Sequence, residues 1–244
     1  MKILLLFLFS LSCCLLNAQA SFASQIPLSE KYDPKKVVDD VYGIRIYDKL
    51  IASFENDTVR KNKKGYKVEG EIEDFYINDK PIHKGLYVEG KLRAFKNFYP
   101  NSNIERSFKM IDLKKSEMKE YYSDGNIKSE INYFEYNTIK QTDYFENGKI
   151  SYEEENNKTG EYLIKRNSYH SDGKPSILFE LIDKKNKMYQ HKEFYENGSL
   201  KEEGTMKYIP EMGDFVKEGK WITYTSNGKE IKKENFHDGN LSEE

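Results

Sequence analysis

Apolar and polar positions recur along the chain with a period of roughly 23 residues. In most periods two adjacent aromatic residues precede an Asn- or Asp-led dipeptide, and an apolar residue returns a few positions later. Lys and Glu fill much of the sequence between these points. Aromatic and β-branched residues on both sides of a turn dipeptide favour strands, so each period predicts one β-hairpin.

The turn dipeptides mark this repeat most clearly. Their second members are 22 to 30 residues apart, and the first member is Asn or Asp in every copy. Asn-Gly and Asp-Gly adopt positive φ at low cost and predict type I′ turns. The dipeptides are Asn56-Asp57, Asn78-Asp79, Asn101-Ser102, Asp124-Gly125, Asn147-Gly148, Asp172-Gly173, Asn197-Gly198 and Asn227-Gly228. A truncated last copy is predicted to begin at His237.

The repeated hairpins predict an all-β fold. Stacked in chain order, they form an elongated antiparallel meander of about eight hairpins, as a single or lightly curled sheet. The array is predicted to span residues 44–244 and is clearest at 115–240. Residues 21–43 lie outside the pattern and form an N-terminal segment without an assignment.

The last full repeat carries the most specific motif. Gly219-Lys220-Trp221 is followed by Tyr224 and then by Asn227-Gly228-Lys229. This motif resembles the bacterial variant of the MORN repeat (membrane occupation and recognition nexus), and Glu193–Gly198 and Tyr121–Gly125 are similar to it. The resemblance implies a run of antiparallel hairpins. Some bacterial members are labelled antitoxin components, which implies an antitoxin-like role. The lipid-kinase label of other members does not transfer, because the repeats fill nearly the whole chain.

The first 20 residues predict a secretory signal peptide. Lys2 precedes an apolar run, Ile3–Leu16, and Ala18 and Ala20 form an A-x-A cleavage site. The run is shorter than the roughly 20 residues of a membrane span. Cleavage after Ala20 predicts a location in the periplasm, at the cell surface or in the medium. A lipoprotein is the less favoured alternative: both cysteines lie late in the run, but Cys13 stands where a lipobox has a small residue.

Composition and motifs exclude several classes of function. Lys and Arg number 39 against 41 Asp and Glu, a net charge of −2, which argues against a nucleic-acid partner bound through a broad basic surface. No phosphate-binding loop, zinc-protease, hydrolase or kinase motif is present. The four histidines show no metal-like spacing. The sequence therefore predicts no enzyme, no cofactor and no metal site.

The two aromatic columns before the turns are the candidate binding feature. Adjacent residues on a strand point to opposite faces, so each column forms a ladder on its own face. The predicted binding stripe is Tyr76, Tyr99, Tyr122, Phe145 and Tyr195. The other column is predicted to lie on the more buried side: Phe75, Phe98, Tyr121, Tyr144, Tyr169, Phe194 and Tyr224. The alternative for both ladders is purely structural, because cross-strand aromatic pairs stabilise a sheet.

These features together predict an exported, non-catalytic repeat scaffold that mediates protein–protein interaction at the cell envelope or outside the cell. Two alternatives stay open: an immunity or antitoxin-like inhibitor of a toxin, and a surface module that binds glycan or lipid. Loss of Lys2 with the signal peptide leaves 38 basic and 41 acidic side chains, a net charge of −3. That charge disfavours anionic lipid surfaces.

Overall fold

The computed structural model describes residues 31–52 and 58–242. The predicted signal peptide, with Ala18 and Ala20, and the turn dipeptide Asn56-Asp57 lie outside the described residues. The chain divides into two compact units, residues 1–125 and 126–244. Among the described residues, no helix combines the length and apolar character that crossing a membrane requires.

The first unit combines a sheet with an irregular N-terminal segment. That segment contains helix α1 (Pro34–Val37), whose first turn is capped by Asp33, and a 3-10 helix at Asp48–Leu50. Strands β2 to β6 form an antiparallel meander, and β1 pairs with β2 in parallel. The strands of this unit are β1 (Lys31–Tyr32), β2 (Gly70–Tyr76), β3 (Pro81–Val88), β4 (Lys91–Phe98), β5 (Ile104–Met110) and β6 (Lys115–Tyr121).

The second unit is an antiparallel sheet whose described residues lie in the strands, in the turns between them or at its two ends. The predicted all-β meander of repeated hairpins is confirmed. The strands of this unit are β7 (Ile127–Phe134), β8 (Asn137–Tyr144), β9 (Ile150–Asn156), β10 (Leu163–Tyr169), β11 (Pro175–Asp183), β12 (Met188–Phe194), β13 (Leu200–Ile209), β14 (Asp214–Tyr224), β15 (Glu230–His237) and β16 (Asn240–Leu241).

The Asn-Gly and Asp-Gly turns are not of the predicted type I′. In the turn at Asn147-Gly148, the N–H of Gly148 donates to Phe145 O at 2.8 Å, and of these two turn residues only the glycine has a positive φ, +78°. This is a type I turn followed by a left-handed residue, which inserts a bulge and shifts the register. Asp79 and Ser102 take the glycine position in the early copies, with φ of +64° and +76°.

Two-residue type I′ turns occur instead at the opposite ends of the strands. Within residues 31–52 and 58–242, both central residues have positive φ in three such turns: Glu89-Gly90, Glu135-Tyr136 and Asp238-Gly239. The last of these joins β15 to β16, so the predicted truncated copy is a short hairpin. A primed turn has the twist that the flanking strands need. The prediction from the turn dipeptides therefore placed the type I′ turns at the wrong end of the hairpins.

The core lies on one face of the first sheet, which we call the inner face. Phe95 and Asn97 of β4 are buried, whereas Lys96 between them is exposed. The alternation therefore separates the inner face from an outer face. Residues 31–52 and 58–68, the cover segment, pack on the inner face and bury Ile44 and Leu50 completely. The core of this unit is thus a sheet and its cover, two layers thick.

Candidate binding surface

The predicted stripe lies at the turn end of the sheet, where its tyrosines link successive hairpins. The hydroxyl of Tyr76 donates to Phe98 O at 2.7 Å, and that of Tyr99 donates to Tyr121 O at 2.9 Å. Tyr195 makes the same bond to Tyr224 O at 2.8 Å. These hydroxyls therefore already have partners within the sheet. Tyr122 and Phe145 are half-buried at the corresponding positions.

The relative burial of the two aromatic columns differs from the prediction at the first turn. Tyr76 of the stripe is completely buried, whereas Phe75 of the other column is half-buried. In the second unit the other column also makes contacts of its own. The hydroxyls of its tyrosines donate to a glutamate of a neighbouring strand, in the pairs Tyr144–Glu130, Tyr169–Glu153 and Tyr224–Glu203. Binding by the stripe stays a prediction.

The asparagines that open the turns extend these links. Asn101, Asn147 and Asn197 each accept a backbone N–H of their own turn on Oδ1. Each also donates its Nδ2 to a serine carbonyl of the following turn, at 2.7, 2.7 and 2.9 Å respectively: Ser123, Ser171 and Ser226. An aspartate can accept but cannot donate. The double use of the amide explains why Asn predominates over Asp at this position.

Beneath the cover segment, the inner face of the first unit holds a buried polar network. Arg60 and Asp74 form two charged hydrogen bonds, of 2.6 and 2.8 Å, and the hydroxyl of Tyr47 donates to Asp74 at 2.8 Å. The ring of Tyr47 stacks on His83, with 3.8 Å between centroids. Paired in this way, the buried charges are compatible with a folded core.

His83 is neutral at the centre of this network. Its Nδ1 lies 2.8 Å from Asn97 Oδ1, and its Nε2 lies 3.0 Å from the Tyr87 hydroxyl. An amide oxygen only accepts, so we assign the proton to Nδ1 and let Nε2 accept from Tyr87. Complete burial lowers the pKa of His83 to about 3. The ring therefore works as a fixed hydrogen-bonding group.

Arg106 anchors the cover segment at a second point. Its Nη2 donates to Ile44 O and forms a 2.7 Å ion pair with Asp48. The adjacent Glu105 accepts the backbone N–H of Ile44 at 3.1 Å. The sheet thus binds backbone as well as side chains of the cover segment.

The inner face of the second unit has a different chemistry. The row that contains Phe95 lies seven residues before the second member of each turn dipeptide, and its apolar members in the first unit are Ile72, Phe95 and Met118. In the second unit the same row reads Gln141, Arg166, His191 and Trp221. All of these except Trp221 are half-buried. The described residues of this unit lie in the strands, in the turns between them or at the two ends of the sheet. Among them there is no separate segment that covers the row as residues 31–52 and 58–68 do in the first unit.

Trp221 is buried by its own neighbours on this face. Its ring lies against the backbone of Gly204, where an added Cβ would be only 2.2 Å from the indole. The indole N–H donates to Thr205 O at 3.0 Å, and the ammonium group of Lys217 lies 3.8 Å from the ring centroid. His191 follows, with 5.4 Å between ring centroids.

The structure brings His191 together with Glu193 and Glu202, which the sequence analysis did not single out. One ligand atom from each lies within 4.8 Å of the others. His191 and Glu193 alternate on β12, and Glu202 is the cross-strand partner of Glu193 on β13. The signal was present as an H-x-E on a strand followed by a hairpin, but finding Glu202 requires the strand register.

A groove of about 590 Å³ lies on the outer face of the first unit. Leu86 forms part of its floor and is 43% exposed. Two of its lysines already have carboxylate partners, Lys84 with Glu73 and Lys109 with Glu117, both at 2.8 Å. These paired charges give the groove little preference for a charged ligand.

Two segments of the chain match the family described as MORN repeat variant: residues 116–135 and 190–208. The first spans most of β6 and β7, and the second runs from β12 through most of β13. The MORN repeat variant is thus matched at two places in the chain. The predicted resemblance is confirmed in these segments, one of which includes His191, Glu193 and Glu202. MORN repeats are non-catalytic modules that commonly bind proteins or membranes.

Comparison with solved structures adds no functional argument. A TarM variant from S. aureus, in complex with fondaparinux, alpha-GlcNAc-glycerol and UDP, is 9% identical over 61% of this chain, with a TM-score of 0.26. A second structure titled TarM is 10% identical over 61% of this chain, with a TM-score of 0.23. Each match spans 21% of the TarM chain concerned. No curated protein matches this chain in sequence.

Proposed function

We propose that the chain is a non-catalytic repeat scaffold whose second unit binds a protein partner on the inner face of its sheet. One observation carries this proposal. In the first unit the inner face is buried under the cover segment, whereas no separate segment of the second unit covers the equivalent row. The first unit is therefore an internal example of a polypeptide segment held on this face of the repeat.

The side chains on the inner face of the second unit are compatible with a reversible protein interface. Tyr152 and Arg166 are half-buried and both bond to Glu154, so they are already oriented. Tyr and Arg are among the residue types that contribute most to binding energy at protein interfaces. Non-obligate interfaces are about as polar as the rest of a protein surface. A mixed polar and aromatic face is thus compatible with a partner that binds and dissociates.

Site-specific photo-crosslinking in the source cells tests this proposal. A photoreactive phenylalanine analogue replaces Gln141, which lies on β8 and is half-buried in the inner-face row of the second unit. The matched control carries the same analogue at Lys140, the exposed neighbour on the opposite face. We expect a discrete crosslinked protein from position 141 and none from position 140.

Two further results decide between binding and chance contact. The crosslinked protein, once purified, is expected to bind the full chain, and replacement of Arg166 by Glu is expected to weaken that binding at least tenfold. Equal crosslinking from positions 140 and 141 contradicts the proposal, as does unchanged binding by Arg166→Glu with native circular dichroism.

We further propose that the scaffold acts outside the cytosol. Support comes from the order of Lys2, the apolar run Ile3–Leu16 and the small residues Ala18 and Ala20. Mass spectrometry of the protein from its source is expected to give a mature chain that begins at Ser21. A cytosolic chain that retains residues 1–20 contradicts this part of the proposal.

A further inference from the structure

The cluster of His191, Glu193 and Glu202 combines three metal-ligating side chains on one face of a two-strand ladder. Alternation along β12 and direct pairing with β13 give the three side chains a common side of the sheet. Their ligand atoms lie within 4.8 Å of one another. Ligands about 2.0–2.2 Å from a zinc ion are at most ~4.4 Å apart. Small side-chain rotations are therefore sufficient to close the set on one ion.

The imidazole of His191 is half-buried on the inner face, beside the two carboxylates. Among the hydrogen bonds of the described residues, none involves a ring nitrogen of His191. A neutral imidazole with two carboxylates is a donor set suited to divalent transition metals, zinc above all.

Two lysines hold the carboxylates in place and compete with a cation. Lys201 bonds Oε1 of Glu193 at 2.6 Å, and Lys217 lies 3.1 and 3.2 Å from the two oxygens of Glu202. Without these lysines, the cross-strand pair of glutamates would repel each other. The lysines thus keep the carboxylates close, and a bound ion must displace at least part of their contact.

We propose that His191, Glu193 and Glu202 form a binding site for a divalent transition-metal ion, with Zn²⁺ the expected ion. The inference goes beyond the proposed function and stands on the geometry of β12 and β13 alone. A metal here links the two strands of one hairpin on the inner face of the second unit.

Trp221 provides a local probe, because it is the only tryptophan of the chain and its ring centroid lies 5.4 Å from that of His191. The full chain, without a histidine tag, is titrated with Cu²⁺ while tryptophan fluorescence is recorded. We expect saturable quenching with a stoichiometry of one, and reversal by excess chelator. Zn²⁺ binding is then measured directly by calorimetry.

Three variants make the test specific. His191→Phe places at this row position the residue found at Phe95, and we expect it to weaken Zn²⁺ binding at least tenfold. His237→Ala removes an exposed histidine that lies beside Glu218 and Asp238, and we expect it to leave the affinity unchanged. Lys201→Gln removes a competing cation, and we expect it to tighten binding severalfold.

The proposal is overturned by either of two results. One is the absence of saturable binding at millimolar Zn²⁺. The other is equal affinity in wild type and in a His191→Phe variant whose thermal unfolding remains cooperative. Glu202→Gln serves as a second ligand variant if His191→Phe fails to fold, and unchanged affinity in it has the same meaning.

Discussion

One hairpin repeat builds both units, yet their inner faces are buried differently. A separate segment covers this face in the first unit, whereas in the second Phe179, Tyr189 and Trp221 are buried among strands of the unit itself. The row reads Ile72, Phe95 and Met118 in the covered unit. In the second unit, whose described residues include no separate covering segment, it reads Gln141, Arg166, His191 and Trp221. The strand register and the turn links are alike in both units. The comparison shows that the same hairpin repeat occurs with a separate covering segment and, among the described residues of the second unit, without one.

The largest expected effect comes from removal of one charge of a buried ion pair. Asp74→Asn leaves Arg60 buried without its carboxylate, and we expect a loss of about 3–5 kcal/mol in the free energy of unfolding. Glu153→Gln in the second unit breaks a partly exposed pair with Lys165, for which we expect ~1 kcal/mol or less. Hydrogen exchange in β3–β4 and in β9–β10 measures the two effects. Equal losses would remove the distinction between the units.

Added volume on the inner face is expected to separate the units next. At Gly85 an alanine Cβ would lie 2.4 Å from His83 Nε2 and 2.6 Å from a methyl group of Leu92. Both neighbours are fixed under the cover segment, so we expect Gly85→Ala to cost about 3 kcal/mol. Gly204→Ala crowds the buried ring of Trp221, above which the described residues of the second unit place no separate segment, and we expect a smaller cost of about 1–2 kcal/mol. Urea unfolding measures both values, and the reverse order would contradict the two-layer description of the first unit.

Acid is expected to weaken the first unit through His83. The pKa of His83 is about 3 in the folded state and 6.5 in the unfolded chain. Between these two pH values only the unfolded chain takes up the proton. Stability is therefore lost as pH falls from about 6.5 towards 3, with about 2 kcal/mol lost by pH 5.

A His83→Gln variant isolates this contribution. Between pH 7 and pH 5 we expect its free energy of unfolding to fall by about 2 kcal/mol less than that of the wild type. Hydrogen exchange should place the difference in β2–β4. A pH dependence identical to wild type would show that His83 does not remain neutral in the folded unit.

The smallest effect concerns two equivalent type I′ turns. In the first unit Gly90 has φ +78°, and an added Cβ would lie 2.7 Å from Arg60 O of the cover segment. In the second unit Tyr136 has φ +74° and is 48% exposed. We expect Tyr136→Gly to raise the melting temperature, corresponding to about 1 kcal/mol, and Gly90→Ala to lower it. A destabilised Tyr136→Gly would instead show that the tyrosine ring makes a contact worth more than its backbone strain.

The hairpins were predictable because strand alternation and turn residues are local signals. The cover segment was not, since Tyr47, Arg60 and Asp74 meet only through contacts between residues distant in sequence. The turn type was missed because Asn and Gly tolerate more than one turn, and the bulge decides between them. Composition likewise could not show which aromatic column is better buried, since Tyr76 is buried by its place in the sheet.

The links between turns run in one direction along the chain. In each hydrogen bond from an asparagine side chain to the following turn, the asparagine precedes its acceptor, by 22, 24 and 29 residues. The hydroxyls of the stripe residues Tyr76, Tyr99 and Tyr195 follow the same rule, with separations of 22, 22 and 29 residues. During synthesis on the ribosome, each hairpin therefore exposes unpaired donors until its successor emerges. Because translation supplies these acceptors in chain order, the hydrogen bonds between turns can form one after another, from the first hairpin towards the last.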